Sequence, residues 1–279
     1  MAITTSETTF TSRDGRTLFR RSWLPADSPR AAIAIVHGYA EHSGRYAWTG
    51  EQLANAGFAV HAYDLRGHGQ SDGTPVLVRS FKEHLDDLDS FLGLLRREHP
   101  GTHLFLLGHS MGGLIATLYC AVRPRELAGL VTSGPAIAPP PRALKAMTGV
   151  VRLVAAFRPG AGVLKLPAAG VSRDAAVVAA YERDRLVFHG KMPAGSLAAF
   201  GRAIARVHKD MHTISLPLLA LHGTADRLTS PAGSQALYDG VQSRDRTLKL
   251  YQGLAHEVLN EPERGDVVAD LREWLEARS

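Results

Sequence analysis

The chain has 279 residues, enough for one large α/β domain or two ordinary ones, each with a full buried core. Apolar residues at 45% and charged residues at 21% are usual for a globular protein. The formal charge of +5 comes without an RNP-like aromatic pattern, zinc-finger spacing or a basic recognition helix, so no nucleic-acid partner is expected.

The opening MAITTSETTF lacks a basic start followed by an apolar stretch, so no signal peptide is read there. No apolar run approaches the ~20 residues that span a bilayer, and the expected location is cytoplasmic. Short β-rich runs then alternate with helical patterns. TLFRRSW (17–23), AAIAIV (31–36), FAVHAY (58–63), HLFLLG (103–108), LAGLVTS (127–133), LPLLALHG (216–223) and RTLKLY (246–251) read as strands. Several are almost continuously apolar, as parallel strands covered on both faces must be. Phe81, Leu85, Leu88, Leu92 and Leu95 recur at helical spacing, with Asp86, Asp87 and Arg96 off that stripe. VVADLREWLEAR near the C-terminus is another amphipathic helix. The alternation predicts an open, mostly parallel sheet with helices on both faces, and such sheets gather ligands at the carboxyl ends of their strands. Cys120 is the only cysteine, which excludes an intramolecular disulfide; its helical setting suits a packed core thiol.

Between about residues 138 and 212 the alternation breaks. APPP interrupts the chain, and RALKAMTGVVRLVAAF then reads as a helix with Leu144, Met147, Val151, Val154 and Phe157 on one side. PGAG and LPAAG lead into more helical sequence. The stretch is too long for a structureless loop. It is expected to be a helical cap, 138–212, inserted into a core formed by 1–137 and 213–279.

The run HLFLLG leads straight into GHSMGGLIATLYC, so Gly108-His109-Ser110-Met111-Gly112 fits G-x-S-x-G between a strand and a helix. A sharp turn there lifts the serine out at the top of the sheet, and glycines two residues either side avoid collisions. The helix N-terminus brings free N–H groups and a positive dipole end. A serine hydroxyl needs a base to take its proton, and the base needs an acid to hold its tautomer. The chain order for this arrangement is Ser, acid, His. Asp226 follows the strand LPLLALHG, and His256 follows the last strand, RTLKLY. Asp174, Asp184, Asp210, Asp239 and Asp245 do not directly follow an apolar strand. His189, His208 and His212 fall in the cap or at its exit, and His222 reads as a packed or hydrogen-bonded residue. Ser110, Asp226 and His256 are therefore the catalytic candidates. HEVLN (256–260) lacks the second His of HExxH and no Cys/His cluster appears, so neither a metal nor another cofactor is expected.

The stretches HGYAEHSGRY (37–46), YDLRGHGQSDG (63–73), LLGHSMGG (106–113), LHGTADRL (221–228) and YQGLAHEVLNE (251–261) together resemble the monoacylglycerol lipase family of serine α/β-hydrolases. GHSMGG is widely shared, whereas HG-x-x-EHSGRY is much more restricted. The resemblance implies an α/β-hydrolase fold with a cap, and cleavage of monoacylglycerols through an acyl-enzyme. A related branch holds esterases of phenolic esters and lysophospholipases, so a broad carboxylesterase or lysophospholipase is the alternative, and a non-catalytic acyl-binding relative a distant one. By family position the backbone N–H groups of Tyr39 and Met111 form the oxyanion hole. Glu41 and Arg45 would belong to the glycerol-facing end of the site; the competing reading is a buried pair that only shapes the loop. The family usually has a small residue and then Gly after the HG pair. Tyr39 and Ala40 stand there in this chain, and a bulky Tyr39 would narrow the alcohol end. Tyr181 is implied to reach the site from the cap, while Asp64, Arg66 and His68 read as structural.

Residues 138–173 hold Arg142, Lys145, Arg152, Arg158, Lys165 and Arg173 and no acidic residue. Such a basic, partly apolar cap suits peripheral contact with an anionic membrane; the alternative is an apolar face over the pocket with solvated arginines. The oligomeric state is left open.

Overall fold

A computed structural model describes residues 3–123, 126–138 and 142–279, and for 142–148 and 152 the backbone alone. The chain opens with β1 (Thr4–Thr11), β2 (Thr17–Leu24), β3 (Ala31–Val36), α1 (Ala47–Asn55) and β4 (Phe58–Tyr63). It continues with α2 (Phe81–Glu98), β5 (Leu104–His109), α3 (Met111–Val122) and β6 (Gly129–Ser133). Then come α4 (Arg142–Phe157), β7 (Gly162–Leu164), α5 (Ala175–Arg183), β8 (Met192–Pro193) and α6 (Ala194–Asp210). The last elements are β9 (Leu218–Gly223), α7 (Pro231–Gly240), β10 (Arg246–Tyr251) and α8 (Arg264–Glu276).

Eight strands form one sheet in the order β1-β2-β4-β3-β5-β6-β9-β10, and β2 alone runs against the others. The fully buried strand β3 shows why both faces must be covered. Ala32, Ala34 and Val36 pack with α2, α3 and α6 on one side, while Ile33 and Ile35 pack with α1 and α8 on the other. This is the period-2 alternation of a pleated strand with no solvent-facing side. After β3 the chain moves to β4 on one flank and then crosses to β5 on the other, with Val36 paired to Gly108. That reversal of strand order opens a crevice between the carboxyl ends of β3 and β5.

Two features go beyond what the sequence pattern predicts. The N-terminal strand β1 was not legible: TTSETTFT has no apolar face, is exposed over most of its length, and is held by backbone pairing to β2 with only Phe10 touching the core. Asp87 is not on a solvated face. It is buried, and its two oxygens accept from Nε and Nη2 of Arg66, both at 2.6 Å. A buried carboxylate is tolerable once a guanidinium meets it in this two-pronged way.

Between β6 and β9 the chain leaves the sheet. Helix α4 packs on α6, and β7 pairs with β8. Phe188 N–H donates to Ala40 O at 2.9 Å and His42 Nε2 lies 2.9 Å from Asp184 Oδ2, so this stretch is tied to the loop after β3. Leu144 and Met147, expected on the buried side of α4, lie outside the described side chains, as do Arg142, Lys145 and Arg152. Val151 and Val154 are half-buried, but Phe157 is 80% exposed. Arg173 is paired with Glu261 and Glu263, not simply solvated. Among the described residues no helix is long and apolar enough to cross a membrane.

Candidate active site

The strand β5 ends at His109 and α3 begins at Met111, leaving Ser110 alone to make the turn. Its φ of 52° and ψ of −114° lie where a side-chain-bearing residue is strained. Hydrogen bonds over-determine that conformation. Ser110 N–H donates to Ser133 O at 3.0 Å, and its carbonyl accepts from Leu114 at 3.1 Å and Ala136 at 3.0 Å. The flanking glycines have a steric cause. A Cβ on Gly108 would meet Gly112 O at 2.3 Å, and one on Gly112 would meet Val36 O at 2.0 Å.

Asp226 follows β9 and His256 follows β10, on loops that leave the same edge of the sheet. Asp226 Oδ2 lies 2.6 Å from His256 Nδ1. The same oxygen accepts from Thr229 Oγ1 at 2.8 Å and lies 3.1 Å from His222 Nε2, while Oδ1 accepts from the Leu228 and Thr229 amides at 2.8 and 2.9 Å. Burial alone would raise the pKa of this carboxyl, but hydrogen bonds from His222 and His256 hold it far below the ordinary carboxylate range. With Nδ1 engaged, Nε2 is the nitrogen His256 has left for a reacting group. The His109 ring packs on His256 at 4.7 Å between centroids, and burial keeps it neutral with a pKa down to about 3.

Ser110, His256 and Asp226 all line one cavity of about 770 Å³, within the range of small-molecule sites. Its wall is apolar along Leu164, Leu197, Phe200 and Ile204, and polar at Glu41, Tyr181 and Glu257. Tyr39 lines it and Met111 directly follows Ser110, and the amides of both make no hydrogen bond among the described residues.

Comparison with known proteins bears on the same features. The family described as serine aminopeptidase, S33, matches residues 27–263. A monoacylglycerol lipase of Mycolicibacterium smegmatis is 40% identical over 275 residues, 99% of this chain and 98% of that protein. The chain belongs to the monoacylglycerol lipase family of serine α/β-hydrolases. A monoglyceride lipase of Rattus norvegicus is 34% identical, covering 95% of this chain and 88% of its own. The crystal structure of the Paleococcus ferrophilus monoacylglycerol lipase superposes over the whole of both chains with a TM-score of 0.83 at 31% identity.

In this member of the monoacylglycerol lipase family the loop after β3 is braced from within. Glu41 Oε1 accepts from Gly38 N–H at 2.5 Å and from Tyr46 Oη at 2.8 Å, and Oε2 accepts from Arg45 Nη1 at 3.0 Å. Burial would raise the Glu41 pKa, but Arg45 and these donors hold it below the ordinary value. Arg45 also pairs through Nη1 and Nη2 with both oxygens of Glu257, and the Tyr181 ring covers its Cζ at 4.7 Å. Glu41 and Tyr181 line the cavity, whereas Arg45 does not line it among the described residues. Two carboxylates and a ring enclose Arg45.

The Tyr39 side chain packs against α6. Its ring meets Phe200 and His68 edge-on, and its hydroxyl donates to Val76 O at 3.3 Å. Asp64 accepts from Ser43 and Gln70 and shapes the loop from below. Sequence reasoning missed Thr229, His109 and Glu257. Position next to Ser110 and His256 was the available signal for the last two. The one described group of three metal-type ligands, His61, Glu98 and His99, lies apart from the cavity wall, with Glu98 held by Arg20 at 2.6 and 2.7 Å.

Proposed function

We propose that the chain is a cofactor-free serine hydrolase that cleaves monoacylglycerols to a fatty acid and glycerol. The observation that carries this reading is the His256–Asp226 contact of 2.6 Å in a cavity that joins Ser110, a polar end and a long apolar wall. Ser110 Oγ adds to the ester carbon while His256 Nε2 takes its proton; the other proton stays on Nδ1 and is donated to Asp226, whose charge stabilises the imidazolium. The N–H groups of Tyr39 and Met111 receive the oxyanion. His256 then passes the proton to the departing glycerol oxygen. Water, deprotonated by the same imidazole, adds to the acyl carbon, and the fatty acid leaves as Ser110 regains its proton.

The apolar wall suits an acyl chain, and the relatives that match nearly the whole chain carry lipase names. Both favour ester cleavage over the peptide cleavage that the family description suggests. The test is a kcat/KM series over monoacylglycerols of rising chain length, a triacylglycerol, a lysophospholipid and a short p-nitrophenyl ester, with Ser110→Ala as blank. Monoacylglycerols should be preferred. Preference for the short ester with little monoacylglycerol turnover would reduce the activity to that of a general esterase.

Residues 138–212 serve in this reading as the cap over the site. Val150, Leu153 and Phe157 of α4 are 67%, 62% and 80% exposed, and Val163 and Leu166 are exposed close to Arg158 and Lys165. An exposed apolar patch with basic neighbours suits an anionic lipid surface. Co-sedimentation with anionic vesicles at low salt is expected, and its absence would remove membrane contact from the account.

A further inference from the structure

We propose that Glu257 is a specificity-determining residue: with Glu41 it leaves the alcohol end of the cavity one negative charge in excess, so the site accepts esters of uncharged polyols and cationic alcohols and discriminates against alcohols that carry a phosphate or carboxylate. This rests on the ester-hydrolase reading above and extends it to the charge of the leaving group.

Both carboxylates line the cavity and are almost fully buried, Glu41 at 3% and Glu257 at 4% exposure. One guanidinium serves both. Arg45 binds Glu41 Oε2 at 3.0 Å and Glu257 Oε2 at 2.7 Å, and its Nη1 also reaches Glu257 Oε1. Two carboxylates against one guanidinium leave a net charge of −1. Arg45 cannot offset this for a ligand, because it stands behind the carboxylates and beneath the Tyr181 ring. Among the described residues the other cations of the wall, Arg202 and Arg227, are exposed, and Arg202 donates to Arg79 O. Asp226, hydrogen-bonded to the imidazole of His256, and Asp184, beside His42, add charge of the same sign as the two glutamates.

The acceptors are not exhausted. Glu257 takes two donors from Arg45 and one from Asn260 Nδ2 at 3.0 Å, and Glu41 takes three from Gly38, Tyr46 and Arg45. A carboxylate offers about four acceptor positions, so each keeps room for a hydroxyl or ammonium donor and none for an anion. In a buried site like-charge repulsion is weakly screened, and a penalty of ~10²-fold or more in rate is expected.

The test places one acyl chain, below its micellar concentration, on glycerol, choline and glycerol 3-phosphate, and measures kcat/KM for wild type and Glu257→Gln. The glutamine keeps an acceptor for Arg45 and removes the charge. Wild type should cleave the glycerol and choline esters at similar rates and the phosphate ester at least ~10²-fold more slowly; Glu257→Gln should narrow that gap ~10-fold or more. A wild type that cleaves the phosphate ester as well as the glycerol ester overturns the inference, with or without a folded variant. An unchanged gap in a folded Glu257→Gln protein also overturns it and leaves Glu257 as an anchor for Arg45. A butyl ester cleaved as fast as the glycerol ester would defeat the monoacylglycerol reading while the charge order still stood.

Discussion

Gly112 lies against the carbonyl of Val36, so close that a Cβ on it would stand 2.0 Å from that oxygen. The contact joins the first turn of α3 to the end of β3, the two segments that carry the Met111 and Tyr39 amides. Gly112→Ala must push them apart. Overpacking of this kind costs ~1–3 kcal/mol, and loss of alignment at one proposed oxyanion donor should lower kcat ~10²–10³-fold. Denaturant unfolding together with kcat on a monoacylglycerol checks both; a stable variant with wild-type turnover would refute the steric argument.

Asp226→Asn removes the charge that faces His256 Nδ1 while leaving an oxygen for the Leu228 and Thr229 amides. The wrong imidazole tautomer is then favoured, and kcat should fall ~10⁴-fold in a folded protein. Steady-state kinetics with circular dichroism distinguishes this from unfolding.

Tyr39→Phe separates the side chain from the backbone donor. It deletes the hydroxyl contact to Val76 O and should cost ~0.5–1.5 kcal/mol of stability, while kcat/KM stays within about threefold because the proposed oxyanion donor is an amide. A rate loss approaching a hundredfold would assign the hydroxyl a part in the chemistry.

Buried histidines should make the fold acid-sensitive well above the carboxylate range. Burial lowers the pKa of His61, His68 and His109 from 6.5 to about 3. Below pH 6.5 the unfolded chain takes up a proton at each site, whereas the folded chain does so only near pH 3. Their contribution is therefore complete above the higher value and lost on descent toward the lower, at up to about 1.4 kcal/mol per pH unit for each. Urea unfolding at pH 7, 6, 5 and 4 should show stability falling throughout, with a shallower slope in His61→Gln. A flat profile over that range would contradict it.

Much of this was legible in local sequence because its causes are local. An apolar strand running into G-H-S-M-G dictates the turn at Ser110, and position after a strand was enough to nominate Asp226 and His256. What escaped depends on partners distant along the chain. Nothing near Asp87 announces Arg66, and the fate of Arg45 was decided by Glu257, 212 residues away. Strand β1 escaped for another reason: its side chains bury almost nothing, so no hydrophobic pattern records it.

The most direct measurement is reaction of purified protein with a fluorophosphonate, read by intact mass and peptide mapping, beside fatty-acid release from a monoacylglycerol. One adduct per chain at Ser110, with adduct and hydrolysis both abolished in a folded Ser110→Ala protein, is the expected result. Absence of labelling in active wild type, or hydrolysis that survives in Ser110→Ala, would contradict the account.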